Sequence, residues 1–375
     1  MKKFILIPDS FKGTLSSIEV CNIIEPIIQG KYLDADIIKI PVADGGEGSV
    51  DAFIQAVGGE KKIVEVCGPY FEKRPAFYGL INNRTCAVIE MAAAAGLPLV
   101  QGRENPALTT TYGVGELIRH AIDDGVQKII IGLGGSCTND GGVGCAAALG
   151  ITFYNQQGQA FIPTGGTLSQ IATIDTSNRY PRLGNVEIIT MCDIDNPLFG
   201  PDGAAYVFSP QKGANLNMVE HLDQNLQHLA RVVEKNIGVT EWNFIGAGAA
   251  GGMGYGMRVF LDSKIQMGID VILDLTNFES IIQGTDYIIT GEGKLDSQSL
   301  RGKVVIGVAR RAKRYNKKVI AVVGCTGPGY ESAYQEGVSE IIVTNYENLP
   351  FSEVIPRAQH DMITAVSKWI KQLPD

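Results

Sequence analysis

The apolar positions change period twice along the chain. Residues 4–7 are an unbroken apolar run, the pattern of a strand buried on both faces. Behind a Ser16-x-x-Glu19 capping box, Ile18, Cys21, Ile24, Ile27 and Ile28 then recur at helical spacing. Pro26 sits inside that pattern and is expected to kink or shorten the helix. Residues 36–42 read as a second strand. Residues 49–57 read as a second helix, closed by Gly58-Gly59. The chain thus opens β-α-β-α.

Residues 61–90 have a different texture. Apolar residues alternate around Ile63, Val64 and Val66, around Phe77 and Leu80, and around Val88, with turn residues such as Asn82-Asn83 between them. That pattern predicts hairpins in an antiparallel or mixed sheet. Helices are expected over 113–124, 143–149 and 218–235, and strands over 128–132 and 187–192. From residue 286 the β-α alternation returns. Strands are expected over 287–290, 319–323 and 340–344, with helices over 303–315 and 352–371. The two ends of the chain resemble each other and the middle does not. The expected fold is α/β in two domains. A doubly wound Rossmann-like or flavodoxin-like domain (1–60 plus 275–375) is split by an inserted mixed α/β domain (61–274), with the active site in the interdomain cleft.

Composition sharpens this picture. A chain of 375 residues has room for two α/β domains. Its 45 glycines are not periodic but cluster in GGEG, GLGGSCTNDGGVG, GAGAAGGMGYG and TGEG. Such clusters at strand ends mean tight turns or backbone approach to a phosphate. The net charge is −8, with no basic stripe interleaved with aromatics, which disfavours nucleic acid. An anionic substrate can still bind through local Lys, Arg or helix N-termini. Seven cysteines without a C-x-x-C pair and four histidines without H-E-x-x-H spacing argue against disulfides and zinc. No stretch approaches ~18 consecutive apolar residues, and the first apolar run is too short for a signal peptide. The expected compartment is the cytoplasm, with no membrane partner.

Candidate chemistry sits where strands are expected to end. No G-x-x-x-x-G-K-[ST] and no G-x-S-x-G occurs. Gly246, Gly248 and Gly251 match G-x-G-x-x-G, but behind Phe244-Ile245, a poor strand. This leaves a NAD-dependent hydroxy-acid oxidoreductase as an alternative, alongside a non-catalytic two-domain small-acid binding protein. Asp193 and Asp195 stand two apart at the end of a strand, suited to take a hydroxyl proton or hold a cation. Asp9, Ser10 and Lys12 offer a carboxylate, a hydroxyl and an ammonium in one turn; Asp44 and Glu47 flank two glycines. Thr138-Asn139-Asp140-Gly141 precedes a helix, where free N–H groups bind anions. Lys212 adds a cation, and Gly291-Glu292-Gly293 with Asp296 closes the set.

The blocks PDSFKGTLSS, PVADGGEGS, IEMAAAAGL, TTYGVGELI, GLGGSCTNDGG, CDIDNPL, PQKGA, GAGAAGG and ITGEGKLDSQSLRGK, in this order, resemble the bacterial glycerate kinase family (type 1). The resemblance implies two α/β domains around a cleft and phosphorylation of D-glycerate by ATP with Mg2+, with 2-phosphoglycerate as the expected product. It is compatible with a homo-oligomer. Within it, chemistry assigns the roles. Asp193 is the expected base or hydroxyl-orienting group, with Asp195 beside it and Lys12 neutralising charge. Substrate or phosphate contacts are expected from Ser10, Thr138, Asn139, Asp140, Gly141, Lys212, Gly291, Glu292 and Gly293. Magnesium is expected at Asp9, Asp44 or Asp296.

Overall fold

The computed structural model describes residues 1–11, 13–42, 45–46, 48–347 and 349–374. Lys12, Asp44 and Glu47 therefore lie outside the described residues. Along the described chain the strands are β1 (Lys3–Pro8), β2 (Asp36–Lys39), β3 (Gly59–Cys67), β4 (Lys73–Ile81), β5 (Cys86–Glu90), β6 (Lys128–Gly132) and β7 (Thr152–Tyr154). They continue with β8 (Ala160–Phe161), β9 (Thr173–Asp175), β10 (Glu187–Met191), β11 (Lys264–Gln266), β12 (Tyr287–Leu295), β13 (Lys318–Thr326) and β14 (Val338–Val343). Two compact units divide them. Unit 1 comprises Met1–Asp44, Gln55–Val57 and Met267–Asp375; unit 2 comprises Gly45–Ile54 and Gly58–Gln266.

Unit 1 is built on a five-stranded sheet, β14-β13-β12-β1-β2, parallel throughout. Read from β2, its strands run second, first, third, fourth, fifth in chain order, which is the flavodoxin-like doubly wound order. Phe4 and Leu6 of β1, Tyr287 and Ile289 of β12, and Ile320 and Val322 of β13 pack on the helices Ser17–Lys31 and Ala358–Gln372. The residues of opposite parity, Ile5, Ile7, Ile288 and Ala321, are equally buried, so both faces are covered. Successive strand side chains alternate faces, which is why this strand reads as a solid apolar run.

The first helix starts where the capping box put it, with Ser16 and Glu19 bonded reciprocally. Pro26 does not shorten it: the helix runs on to Lys31. Residues 352–371 do not form one helix. Phe351–Val354 and the 3-10 turn Ile355–Arg357, which contains Pro356, precede Ala358–Gln372. The most consequential departure is β12, which continues to Leu295. Its pairing with β1 stops at Pro8↔Gly291, while β13 accompanies it to Leu295↔Thr326. Gly291, Glu292 and Gly293 are therefore strand residues at the point where one neighbouring strand has ended.

Unit 2 carries a six-stranded mixed sheet, β11-β10-β6-β5-β4-β3. β11, β10, β6 and β5 are mutually parallel; β4 and β3 return antiparallel, as the period-two pattern over 61–90 indicated. A three-stranded sheet, β8-β7-β9, had no clear signature, because its strands are only two or three residues long. Each of the seven cysteines is free. Among the described residues no helix is long and apolar enough to cross a membrane.

Candidate active site

In unit 2 the carboxyl ends of three parallel strands lie side by side. Glu90 of β5 is opposite Gly132 of β6, and Gly132 is opposite Met191 of β10. Open α/β sheets hold ligands at this edge. Gly132 meets Gly45 so closely that a Cβ on Gly132 would stand 2.2 Å from the Gly45 carbonyl oxygen, and Gly134 donates its N–H to that oxygen at 3.0 Å. Two of the glycine clusters are thus explained by backbone packed on backbone. Glu90, which sequence reasoning passed over, is buried and accepts the Val50 N–H at 2.6 Å, at the start of the helix Ser49–Val57. Burial pushes its pKa up, and the Val50 and Gly48 N–H groups pull back. A lone acid ending the apolar run Cys86–Glu90 was the available signal.

β6 leads into residues 133–142. Thr138, Asn139 and Asp140 are wholly buried there. Asp140 accepts from Thr111 N (2.8 Å), Thr111 Oγ1 (2.9 Å), Gly142 N (3.1 Å) and Gly144 N (3.3 Å). Its oxygens are committed to its own chain. Burial raises its pKa, against the opposing pull of these donors. The helix that follows, Val143–Ala148, is only six residues long, and Asp140 already occupies its first turn.

Lys212 ends a 3-10 turn and is 2% exposed. Its ammonium donates to Ser136 Oγ (2.8 Å) and to the Thr138 carbonyl (2.7 Å), both neutral. Burial pulls its pKa down to about 8, while Cys137 and Asp140 act in the other direction. Around this cation Thr138 Oγ1 and both polar atoms of the Asn139 amide are buried without a hydrogen-bond partner. Buried polar groups are nearly always paired, so an orphaned group marks a place for water or a ligand.

The depressed Lys212 pKa has a measurable consequence. An ammonium whose pKa falls from 10.5 to about 8 on folding is destabilising wherever it stays charged. The folded state then binds fewer protons than the unfolded one between those two values. Stability is therefore fully present above the unfolded pKa and is lost as pH falls through the folded one. The amount is roughly 3 kcal/mol at ~1.4 kcal/mol per unit. Urea unfolding of the wild type should show this slope, and Lys212→Met should flatten it. Parallel curves for the two proteins would assign the slope to another group.

Residues 246–256 are not a dinucleotide fingerprint. No strand precedes them: Phe244 and Ile245 lie in a bend and turn. Ala250, Gly251 and Gly252 are all left-handed (φ 53°, 70° and 85°), which interrupts the helix Ala249–Leu261. A Cβ on Gly251 would stand 2.1 Å from the Thr138 carbonyl oxygen, and Gly141 donates its N–H to the Gly251 carbonyl at 3.0 Å. These glycines brace the 138–142 loop. The oxidoreductase alternative loses its structural premise.

β10 leads into Asp193 and Asp195. Asp193 is half-buried and Asp195 exposed, just past Met191, the residue opposite Gly132. The segment is held from behind, because Cys192 donates its N–H to the Gln266 carbonyl (2.9 Å) and Gly248 donates to the Asn196 carbonyl (3.0 Å). The two carboxylates thus follow the strand next to the one that feeds the 133–142 loop.

Unit 1 has its own acidic edge. The order of its sheet reverses between β1 and β12, the switch point where doubly wound sheets bind ligands. Asp9 follows β1, donates its N–H to the Gly291 carbonyl (2.8 Å), and accepts the Ser10 N–H on its carboxylate (2.7 Å). Glu292 is the next residue of β12, 6% exposed, and its Oε1 has no hydrogen-bond partner. Burial pushes its pKa up to about 7; Asp9 and Asp296 add to the rise, and Ser299 and Lys303 oppose it. Asp296 is differently placed. It pairs with Lys294 at 3.2 Å and accepts the Gln298 N–H at 2.9 Å. Burial works upward on its pKa, but these donors outweigh it and the net shift is downward. Among the described residues no group of three or more His, Cys, Asp and Glu side chains is arranged to hold a metal ion.

The sequence blocks thus resolve into two edges. Thr138, Asn139, Asp140, Gly141 and Lys212 come together in unit 2, with Asp193 and Asp195 on the adjacent strand end. Asp9, Ser10, Gly291, Glu292, Gly293 and Asp296 come together in unit 1. The same chain matches the model of the glycerate kinase family over residues 4–373. It is 45% identical over 363 residues to a glycerate kinase of Bacillus subtilis (strain 168), covering 96% of this chain and 94% of the relative. It is 43% identical over 340 residues to a glycerate 2-kinase of Escherichia coli (strain K12), covering 90% of this chain and 89% of the relative. A crystal structure of a glycerate kinase 2 candidate from Salmonella typhimurium LT2 superposes with a TM-score of 0.85 at 40% identity, over 99% of this chain and 97% of the other. Sequence over nearly its whole length and structure agree that the chain belongs to the glycerate kinase family.

Proposed function

We propose that the protein transfers the terminal phosphoryl group of ATP to D-glycerate, in line and without a phosphorylated enzyme, to give 2-phosphoglycerate. The observation that carries the site is the loop 136–142, where buried Thr138 and Asn139 atoms without partners stand beside a buried ammonium. The names of the relatives support the substrate, and that of the Escherichia coli relative supports transfer to O2.

Each group has a role that its surroundings suit. Asp193 orients the attacking hydroxyl and takes its proton, with Asp195 adding negative potential. The unpartnered Thr138 hydroxyl and Asn139 amide bind the acid or the phosphoryl group, and Gly141, whose N–H is held by the Gly251 carbonyl, keeps the loop in place. Lys212 acts from behind the loop, fixing Ser136 and Thr138 while placing positive charge beneath their backbone. Asp140 holds the loop in shape. Ser10, Gly291 and Gly293 border the carboxylates of unit 1, and Lys12 neutralises charge on the transferred group. The buried, unpartnered oxygen of Glu292 suits a magnesium ion. That ion, when bound, supplies charge neutralisation to the phosphate oxygens. The need for ATP makes the cytoplasm the compartment of the reaction.

NMR of the product made from ATP, Mg2+ and D-glycerate tests the reading. The expected spectrum is that of 2-phosphoglycerate. The 3-isomer would correct the position of transfer, and no phosphorylated acid at all would end the proposal.

A further inference from the structure

We propose that Asp9 and Glu292 form the divalent-cation site and that Asp296 takes no part in it. This rests on the kinase reading and says which carboxylates serve its nucleotide.

The two residues follow directly on a paired position. Pro8 of β1 is opposite Gly291 of β12 in a parallel pair, so Asp9 and Glu292 are the next residue on each chain. Adjacent strands are ~4.8 Å apart, and residues in register point to the same face. The Asp9 N–H bonded to the Gly291 carbonyl keeps Asp9 in that register after β1 has ended. Both side chains are about nine-tenths buried, at 9% and 6% exposure.

Two buried carboxylates at this spacing repel each other, and each is poorly hydrated. Glu292 has no ion pair among the described residues and one oxygen with no partner at all. A buried acceptor left in this condition is the kind of group a cation satisfies. Two carboxylates are also the right number for magnesium. That ion is usually held by one or two carboxylates, with water and substrate phosphates completing its octahedron. The phosphates have a landing place on the same edge. Lys303 faces Glu292 electrostatically and precedes the ten-residue helix Val304–Lys313, whose first N–H groups have no side-chain cap.

Asp296 lies close enough to influence Glu292, but its oxygens are taken by Lys294 and by the Gln298 N–H. It serves the turn of the loop. The sequence offered Asp9, Asp44 or Asp296 for magnesium and placed Glu292 among the substrate contacts.

Manganese, read by electron paramagnetic resonance on the full-length protein with and without a non-hydrolysable ATP analogue, tests the assignment without turnover. Wild type should bind one Mn2+ more tightly with the analogue present. Glu292→Gln and Asp9→Asn should each weaken that binding at least ~10-fold, the minimum loss seen even for outer-shell metal partners. Asp296→Asn should leave it within about twofold. Circular dichroism melts confirm folding, and relief of a buried charge should leave both neutral variants folded. Wild-type affinity in Glu292→Gln and Asp9→Asn would overturn the site, as would a loss confined to Asp296→Asn. Wild type that makes no phosphoglycerate ends the kinase reading whatever manganese does. Wild type that turns over while both neutral variants bind manganese normally ends this assignment alone.

Discussion

Asp193→Asn is expected to lower kcat by a factor on the order of 10²–10⁴ with KM values little changed. The substitution preserves size and one hydrogen-bonding oxygen, so the segment after β10 should keep its shape. Among its anchors are the backbone bonds from the Cys192 N–H to Gln266 and from the Gly248 N–H to Asn196. The amide cannot accept the proton of the attacking hydroxyl. In phosphoryl transfer the protein contributes mainly position and charge, so a lost base appears in kcat rather than in binding. Asp195→Asn should cost less, because Asp195 is exposed and its charge is screened by water. Steady-state kinetics with ATP, Mg2+ and D-glycerate, beside matching thermal melts, measure this. Near-wild-type kcat in Asp193→Asn would reject it as the base and turn attention to the unit 1 carboxylates.

Asp140→Ala is expected to be the most destabilising single change in the loop, by on the order of 4 kcal/mol or more. Alanine would leave Thr111 N, Thr111 Oγ1, Gly142 N and Gly144 N facing a cavity in a wholly buried place. An unsatisfied buried donor costs ~1–3 kcal/mol, and the four are neighbours, so the sum is less than additive. Asp140→Asn retains one acceptor oxygen and should recover part of the loss. The effect should spread to function, because Thr111 also accepts the Cys145 N–H and so ties the loop to the next helix. Urea unfolding of the two variants gives the numbers. A loss below ~1 kcal/mol in the alanine variant would mean that water replaces the carboxylate and the loop does not depend on it.

Asp193 stood out in the sequence beside Asp195 at a strand end, and Asp140 in a polar, glycine-bounded block, but their kinds of work did not. Asp140 and Asn139 are chain neighbours, both wholly buried; one is saturated by four donors and the other has none. Two of those four donors come from Thr111, twenty-nine residues away. Glu90 drew no attention in the sequence, although it bonds a helix forty residues upstream. The G-x-G-x-x-G match was correct as a spacing and empty as a fingerprint, because its glycines are needed for close packing: Gly251 against Thr138 and Asn139, Gly248 against Pro197 and Gly246 against Cys192.

Much of the architecture was legible locally. The capping box at Ser16, the buried strands at 4–7 and 128–132, the hairpin texture of 61–90 and the helix 49–57 each show in the pattern of residues a few positions apart, although the strands draw their stability from distant partners. The ordered family blocks also carried identity, because they record what many contacts require together. Tertiary structure alone decided the rest. How far β12 runs is set by β13, not by its own residues. Asp9 and Glu292 come together only because β1 and β12 pair across 283 positions of chain, as the Thr290 hydroxyl bonded to the Ile7 carbonyl shows. Whether an acid binds a ligand or merely holds a turn depends on which donors the fold brings to it, and those donors come from parts of the chain that no local pattern can see.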